Sequence, residues 1–317
     1  MRVTFLLLLS AVGCGTGPQE GRDLIQRAAF LDAADPALGC VRADDGELVV
    51  DAPVVLNRYF APLASVEAGA TLIPVDEGRG APVAIAAGDR LLVVQMQGAM
   101  LDPQLAMVSG TLTAGTWELV VATGPATDGG IPVEGQGTGG GLAHDYTLRA
   151  GDDAAGPASW QALRIPQLAN LTLSDGGEVW PEPWDGRTGG ILAVDVAGTV
   201  TFDGGTLDAS GMGFRGGRAE TLLRNGAGQR GAPGHKGEGL AGGGGRLFSS
   251  ATGTFTDAAA GFTLPDGEGT HAPATGGGNA RLSNDAAGGG GGHGGDGGIG
   301  GAGARRNRAN AGAGGAA

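Results

Sequence analysis

From Glu47 onward the chain alternates short apolar runs with glycine and other turn residues. Residues 48–50 (LVV), 54–56 (VVL), 71–75 (TLIPV), 90–96 (RLLVVQM) and 117–122 (WELVVA) are of strand length and rich in β-branched and aliphatic side chains. Gly69, Gly78, Gly80, Gly88-Asp89, Gly98, Gly110, Gly115 and Gly124-Pro125 punctuate them. Residues 90–96 are apolar almost throughout, the mark of a central strand buried on both faces. Residues 162–165 and 171–173 continue the pattern, with Pro166 closing the first because proline cannot donate to a ladder. The spacing predicts a small barrel or sandwich, with residues 129–141 as a glycine-loosened loop.

The stretch 184–217, WDGRTGGILAVDVAGTVTFDGGTLDASGMGFRGG, is the pivot. Leu192, Val194 and Val196 alternate with Ala193 and Asp195; Val200 and Phe202 alternate with Thr201 and Asp203; Leu207 and Ala209 alternate with Thr206, Asp208 and Ser210. These are three short strands separated by Gly198 and by Gly204-Gly205. No helix fits between them, so they suit a meander, a sandwich edge or one end of a β-solenoid and exclude a βαβ unit. The alternation turns Asp195, Asp203 and Asp208 outward.

Composition sharpens this division. The chain has 317 residues, 67 of them glycine, and only 4% aromatic residues, which argues against one large packed core. Beyond residue 210 roughly one residue in three is glycine, without the strict triplet register of collagen. Residues 291–302 do repeat every three positions, bringing His293, Asp296, Ile299 and Ala302 onto one ridge of an extended left-handed helix. Such segments could pack as a polyglycine-II layer or stay disordered, and Leu247, Phe248, Phe255, Phe262 and Leu264 offer a strand or hairpin to lie over them. The fold class expected is mainly β: residues 46–183 as a barrel or sandwich module, 184–210 as solenoid-like central strands and 211–317 as the glycine-rich segment.

The N-terminus reads as an export signal. Met1-Arg2 is followed by the apolar run 3–12, too short to span a bilayer as a mature helix. Ala11-Val12-Gly13 sets small residues before Cys14, which resembles the lipobox of bacterial lipoproteins and implies cleavage after residue 13 with lipid on the Cys14 sulfur. Residues 14–45 then serve as a tether, and the membrane becomes a partner through that anchor. Cys40 is left without an intramolecular partner, so no disulfide framework is expected. The net charge of −13 disfavours nucleic acid as a partner and leaves envelope polysaccharide or other surface proteins.

Candidate chemistry is sparse. Trp180 and Trp184, held apart by Pro181-Glu182-Pro183, could form a platform for a sugar ring or could cover the join between modules. Asp195, Asp203 and Asp208 are the acids that a polysaccharide-cleaving enzyme on a solenoid would use, against the simpler expectation of surface acids at turn edges. The four histidines have no metal-ligand spacing and no C-x-x-C occurs, so neither a metal nor a cofactor is expected. Gly211 to Gly216 satisfies G-x-G-x-x-G, but no amphipathic helix comes after it to hold a pyrophosphate.

With Asn57-Arg58-Tyr59, GDRLLVVQMQGA at 88–99, RIPQ at 164–167, PWDGRTGGILAVDVAGTV at 183–200, DASGMGFRGG at 208–217 and HKGEG at 235–239 in view, the chain resembles the glycine-rich surface and envelope proteins of gliding, predatory soil bacteria, some of them named adventurous gliding motility proteins. The resemblance implies an exported, β-rich, non-enzymatic surface protein and supplies no catalytic residue.

Overall fold

The computed structural model describes residues 44–99, 112–150 and 157–214, together with Gly239-Leu240 and five short strand segments, Phe5–Ser10, Leu101–Asp102, Met107–Val108, Leu247–Ser249 and Thr254–Thr256. Among these residues the structure is nearly all strand, with a single 3-10 turn at Thr138–Gly140 and no α-helix. The expected mainly-β class is what the chain adopts.

The larger unit is a curled, seven-stranded antiparallel sheet, a half-barrel, in the order Leu72–Ile73, Ile131–Glu134, Trp117–Ala122, Arg90–Gln97, Ser159–Ile165, Arg58–Phe60, Arg79–Gly80. One short stretch, 72–80, supplies both edges. Ile73 pairs with Ile131 at one side while Val75 bridges Pro62 and Arg79 pairs with Tyr59 at the other. That shared stretch draws the edges together and bends the sheet around a core of Phe60, Ile73, Leu91, Val93, Val120, Ile131, Tyr146 and Trp160. Arg90–Gln97 sits at the centre and is buried on both faces, as its composition predicts: Leu91 and Val93 enter the half-barrel core, whereas Leu92 and Met96 pack on the opposite side.

Residues 129–141 are not a loose loop. They contain the strand Ile131–Glu134, and their glycines mark places where backbones meet: a Cβ on Gly137 would run into the Leu142 carbonyl, and one on Gly141 into Gly69. Close approach, rather than freedom, is what these glycines supply.

The second unit is a parallel β-solenoid of three rungs. Glu47–Val50 forms the first; Gln167–Leu168, Asn170–Ser174 and Glu178–Val179 form the second; Ile191–Val196, Val200–Asp203 and Thr206–Leu207 form the third. Leu171 stacks between Leu48 and Val200, and Leu173 between Val50 and Phe202, which makes an interior of aliphatic columns with Leu192, Val194 and Val196. The pairing crosses the division expected at residue 183. The half-barrel, 57–165, is an insertion between the first and second rungs, and the second rung lies inside the stretch that composition assigned to the N-terminal module. Local pattern misses this because the first and second rungs stand more than a hundred positions apart in sequence, Leu48 beside Leu171.

The two units share one run of backbone. Ser159–Ile165 pairs antiparallel with Arg90–Gln97; Pro166 ends that ladder; Gln167–Leu168 then pairs parallel with Asp195 and Val196. Ile191–Val196 is consequently buried along its whole length, and the expected in-and-out alternation is replaced by two buried faces. Leu192, Val194 and Val196 face the solenoid interior, while Ile191 and Ala193 pack with Tyr59, Leu92, Leu163 and Ile165 of the half-barrel.

The edge of Ile191–Val196 that faces the half-barrel meets a strand only at Asp195 and Val196. Upstream, side chains complete the ladder. Gln161 exchanges two hydrogen bonds with Gly189, its amide donating to the carbonyl at 3.0 Å and its oxygen accepting from the N–H at 2.8 Å. The Tyr59 hydroxyl donates to Ile191 O at 2.6 Å. Asn57 donates to Ala193 O at 2.6 Å and to Arg164 O at 2.9 Å, and accepts from Ala193 N–H at 3.0 Å. All three side chains are fully buried, so each backbone group they satisfy would otherwise be an orphan. Replacing Asn57 by leucine keeps volume but removes three of these bonds; a loss of about 2–4 kcal/mol is expected from urea unfolding. Val49→Thr, at a position 63% exposed on the first rung, should stay within about 0.5 kcal/mol of the parent.

Candidate functional site

Asp195 is the residue whose placement differs most from the outward position that alternation predicts. It is 1% exposed, and its carboxylate forms an ion pair with Arg90, itself 6% exposed. Next to this pair Arg164 binds Asp89 at 2.8 Å and Asp45 at 2.6 Å, and Asp45 also accepts from the Gln167 N–H at 2.7 Å. The physical reason lies in the fold. Asp195 sits on the face of its strand that meets the half-barrel, and Arg90 opens the central strand of that sheet, so the two charges meet where the units join. Burial pushes the Asp195 carboxyl above its ordinary value, against the downward pull of the Arg90 guanidinium. Both partners of Arg164 hold its guanidinium charged more firmly than usual, outweighing its burial.

The other two acids lie elsewhere. Asp203 is exposed at the end of Val200–Asp203, and Asp208 is half-buried, accepting from the Ser210 N–H at 2.7 Å in a local turn. Asp195 is therefore separated from them by burial.

Trp184 is also enclosed, at 2% exposure. Its ring packs edge-on against Phe214 with centroids 5.4 Å apart, within the cluster of Tyr59, Leu163 and Ile191 that joins the units. Trp180 is half-buried, its backbone N–H donating to Val54 O at 3.2 Å. A shared, exposed pair of ring faces for a sugar does not form, because Trp184 is used in packing; of the two roles open to it, covering the join is the one it takes.

A recess of about 460 Å³ opens beside that join, lined by Ala61, Asp76, Glu77, Arg79, Asp185, Arg187 and Thr188 among others. The loop 184–190, WDGRTGG, builds one wall. Asp185 accepts from the N–H groups of Arg187 and Thr188 at 2.7 and 2.8 Å, which folds the loop into an Asx-type turn. Arg79 fastens that turn: it donates to Thr188 Oγ1 at 2.9 Å, Thr188 O at 2.8 Å and Pro183 O at 2.6 Å, and pairs with Glu182 at 2.8 Å. Arg187 is held far more loosely, 3.9 Å from Asp76 and 59% exposed. Asp76 keeps its other oxygen on the Ala61 and Gly78 N–H groups at 2.9 and 3.1 Å. The Tyr59 phenol behind this wall is raised well above its ordinary value by burial and so remains a donor. The recess thus presents carboxylate acceptors and guanidinium donors on a fixed frame, and its lining includes no cysteine, histidine or lysine. Among the described residues no group of three or more His, Cys, Asp or Glu is placed to hold a metal ion.

Cys14 and Cys40 lie outside the described residues, as do His235, His271, His293 and the triplet-repeat glycines. Of the strand or hairpin expected from Leu247, Phe248, Phe255, Phe262 and Leu264, the described residues include Leu247–Ser249 paired antiparallel with Thr254–Thr256, while Phe262, Leu264 and the glycine segments lie outside them. Sequence pattern alone does not pick out Asn57, Tyr59, Gln161 and Arg79 as a joint. Two signals are present in it: the Asn57-Arg58-Tyr59 piece and the WDGRTGG loop, whose polar residues interrupt otherwise apolar or turn-forming stretches. No protein-family model, no curated protein and no solved structure matches this chain.

The geometry of the join can be probed by removing its cations. Arg90→Met leaves the buried Asp195 carboxylate without its counter-charge and should cost about 3–5 kcal/mol at neutral pH. Removing Arg90 raises the folded-state value of Asp195 further, so the variant binds that proton more tightly folded than unfolded and its deficit should shrink as pH falls through that value, measured by urea unfolding between pH 4 and 7. Arg79→Ala should lower stability by about 2 kcal/mol, whereas Arg187→Ala should change it by less than about 0.5 kcal/mol.

Proposed function

We propose that the protein is a non-enzymatic, exported lipoprotein, anchored to the envelope by lipid on Cys14, in which the half-barrel and solenoid form a rigid scaffold for a structural or adhesive role. The observation that carries this reading is the use made of its polar residues. Asp195, the acid on Ile191–Val196, is buried against Arg90, and Trp184 is buried against Phe214. Groups that could have served catalysis or sugar stacking hold the two units together instead. The apolar run ahead of Cys14 supports export and anchoring, the net charge of −13 fits a partner other than nucleic acid, and the resemblance to envelope proteins of gliding bacteria favours a role at the cell surface, with a link to gliding motility. No helix among the described residues is long and apolar enough to cross a membrane.

A second reading, recognition of an envelope polysaccharide, is favoured by the recess beside Asp185. Its acceptors and donors suit a hydroxyl-rich ligand, and its volume of about 460 Å³ is in the range of ordinary small-molecule sites.

The deciding experiment is expression in a diderm bacterium, with mass analysis of the mature N-terminal peptide and fractionation of the cells. The expected result is a chain that begins at Cys14, carries acyl mass and stays with membranes, and Cys14→Ser should release it. A chain that keeps Met1, or that begins elsewhere without lipid, overturns the anchor. Binding of purified envelope polysaccharide that is lost in Arg187→Ala would establish the second reading.

A further inference from the structure

The recess beside Asp185 contains one gap that its own side chains leave open. Arg187 Nη1 stands 3.9 Å from Asp76 Oδ2, too far for a direct hydrogen bond, although both residues line the same space. Each is nevertheless held from behind. Asp76 Oδ1 accepts from the Ala61 and Gly78 N–H groups at 2.9 and 3.1 Å, Arg187 Nη2 reaches Pro62 O at 3.4 Å, and the turn at Asp185 fixes the Arg187 backbone. A hydrogen bond runs about 2.7–2.8 Å from hydroxyl to carboxylate and about 2.9–3.0 Å from guanidinium to oxygen, so a single oxygen can touch both sides of the gap. Its chemistry is set by what it must do there, which is donate to Asp76 and accept from Arg187. An alcohol does both, whereas a carboxylate only accepts and an ammonium only donates.

Asp185 supplies a second acceptor. Its Oδ1 is occupied by the turn, while Oδ2 lies 3.2 Å from Arg79 Nε on a side chain that is 45% exposed, and it retains lone pairs for a donor from the recess. The charge of the lining points the same way. It sets three carboxylates, Asp76, Glu77 and Asp185, against two guanidinium groups, and Arg79 is committed to Thr188, Pro183 and Glu182. An anionic ligand would meet Arg187 as its one available cation in the lining and three carboxylates opposing it. The aromatic residue of the lining, Tyr59, is fully buried, so hydroxyl contacts rather than ring stacking must carry recognition.

We propose that this recess takes an uncharged sugar unit through two neighbouring hydroxyls, one bridging Asp76 and Arg187 and the other donating to Asp185, and that it turns uronates away. The proposal rests on the reading of the recess as a polysaccharide site and adds the class of sugar. Because both carboxylates are already fixed by backbone N–H groups, binding has to order little beyond the exposed Arg187 side chain.

The test is calorimetric titration of the full chain with matched pairs of pentasaccharides: gluco-, manno- and galacto-oligomers, each beside the oligomer of its own uronate, which differs only in the carboxylate at C6. At least one neutral oligomer is expected to bind, roughly tenfold or more tighter than its uronate twin at low salt. Arg187→Ala and Asp76→Asn should each weaken that binding by roughly tenfold. Asp76→Asn keeps a carbonyl oxygen for the Ala61 and Gly78 N–H groups, and an unchanged urea midpoint in either variant shows that the fold survives. A uronate that binds as tightly as its neutral twin, or neutral binding untouched by Asp76→Asn, would overturn the proposal and leave the polysaccharide reading standing. No binding by any of the oligomers, neutral or uronate, or binding indifferent to Arg187→Ala, would overturn both.

Discussion

The structure depends on a strand that is buried on both faces yet lacks a strand neighbour along most of one edge. Ile191–Val196 serves the solenoid with one set of side chains and the half-barrel with the other, so its backbone cannot turn to water for hydrogen bonds. A continuous partner strand is impossible, because the chain that should provide it, Ser159–Ile165, is committed to the antiparallel sheet until Pro166. Asn57, Tyr59 and Gln161 resolve the conflict by acting as a strand made of side chains. Amides can return both a donor and an acceptor to one residue, which is why Asn57 and Gln161 make reciprocal pairs and Tyr59, with its single hydroxyl, serves one carbonyl.

The charges at the join arise from the same geometry. Where an inserted domain leaves and re-enters a solenoid, its first and last strands must be fixed relative to the rungs. Asp45, just before the first rung, and Arg164, just before the second, are brought together at 2.6 Å, and Asp89 and Arg90 come from the turn and strand between them. Buried ion pairs of this kind add little net stability, since desolvation offsets most of the attraction. Their effect is on register: a shift of one residue in Arg90–Gln97 would separate Arg90 from Asp195 and leave two buried charges unpaired.

Much of this was legible in the sequence and some was not, for identifiable reasons. The central strand 90–97 and the three strands of the third rung are local patterns, and apolar runs between glycines display them directly. Asp195 misled because alternation shows which residues share a face but not whether that face meets water; here the outward face meets a second unit. Glycines 129–141 misled because low side-chain content reads the same whether backbones are loose or pressed together. The insertion of the half-barrel between rungs could not be read at all, since stacking of Leu48 on Leu171 leaves no trace in the residues between them.

An inserted half-barrel also alters what a three-rung solenoid can bear. A short stack alone has only its nearest-neighbour contacts, and its ends fray first. Here the insertion begins and ends on the first and second rungs, and the side chains it contributes reach the third, so all three rungs are held by one body. A load entering from the N-terminal side reaches the fold at Asp45, where it meets Arg164 and the Gln167 backbone instead of a free edge. From there it passes along the shared run 159–168 into the centre of the seven-stranded sheet, where it is spread across the ladders on both sides of Ser159–Ile165 and no single terminal strand has to resist it alone. If the chain is anchored through Cys14 as proposed, that arrangement sets the weakest point away from the anchor, on the outer side of the third rung.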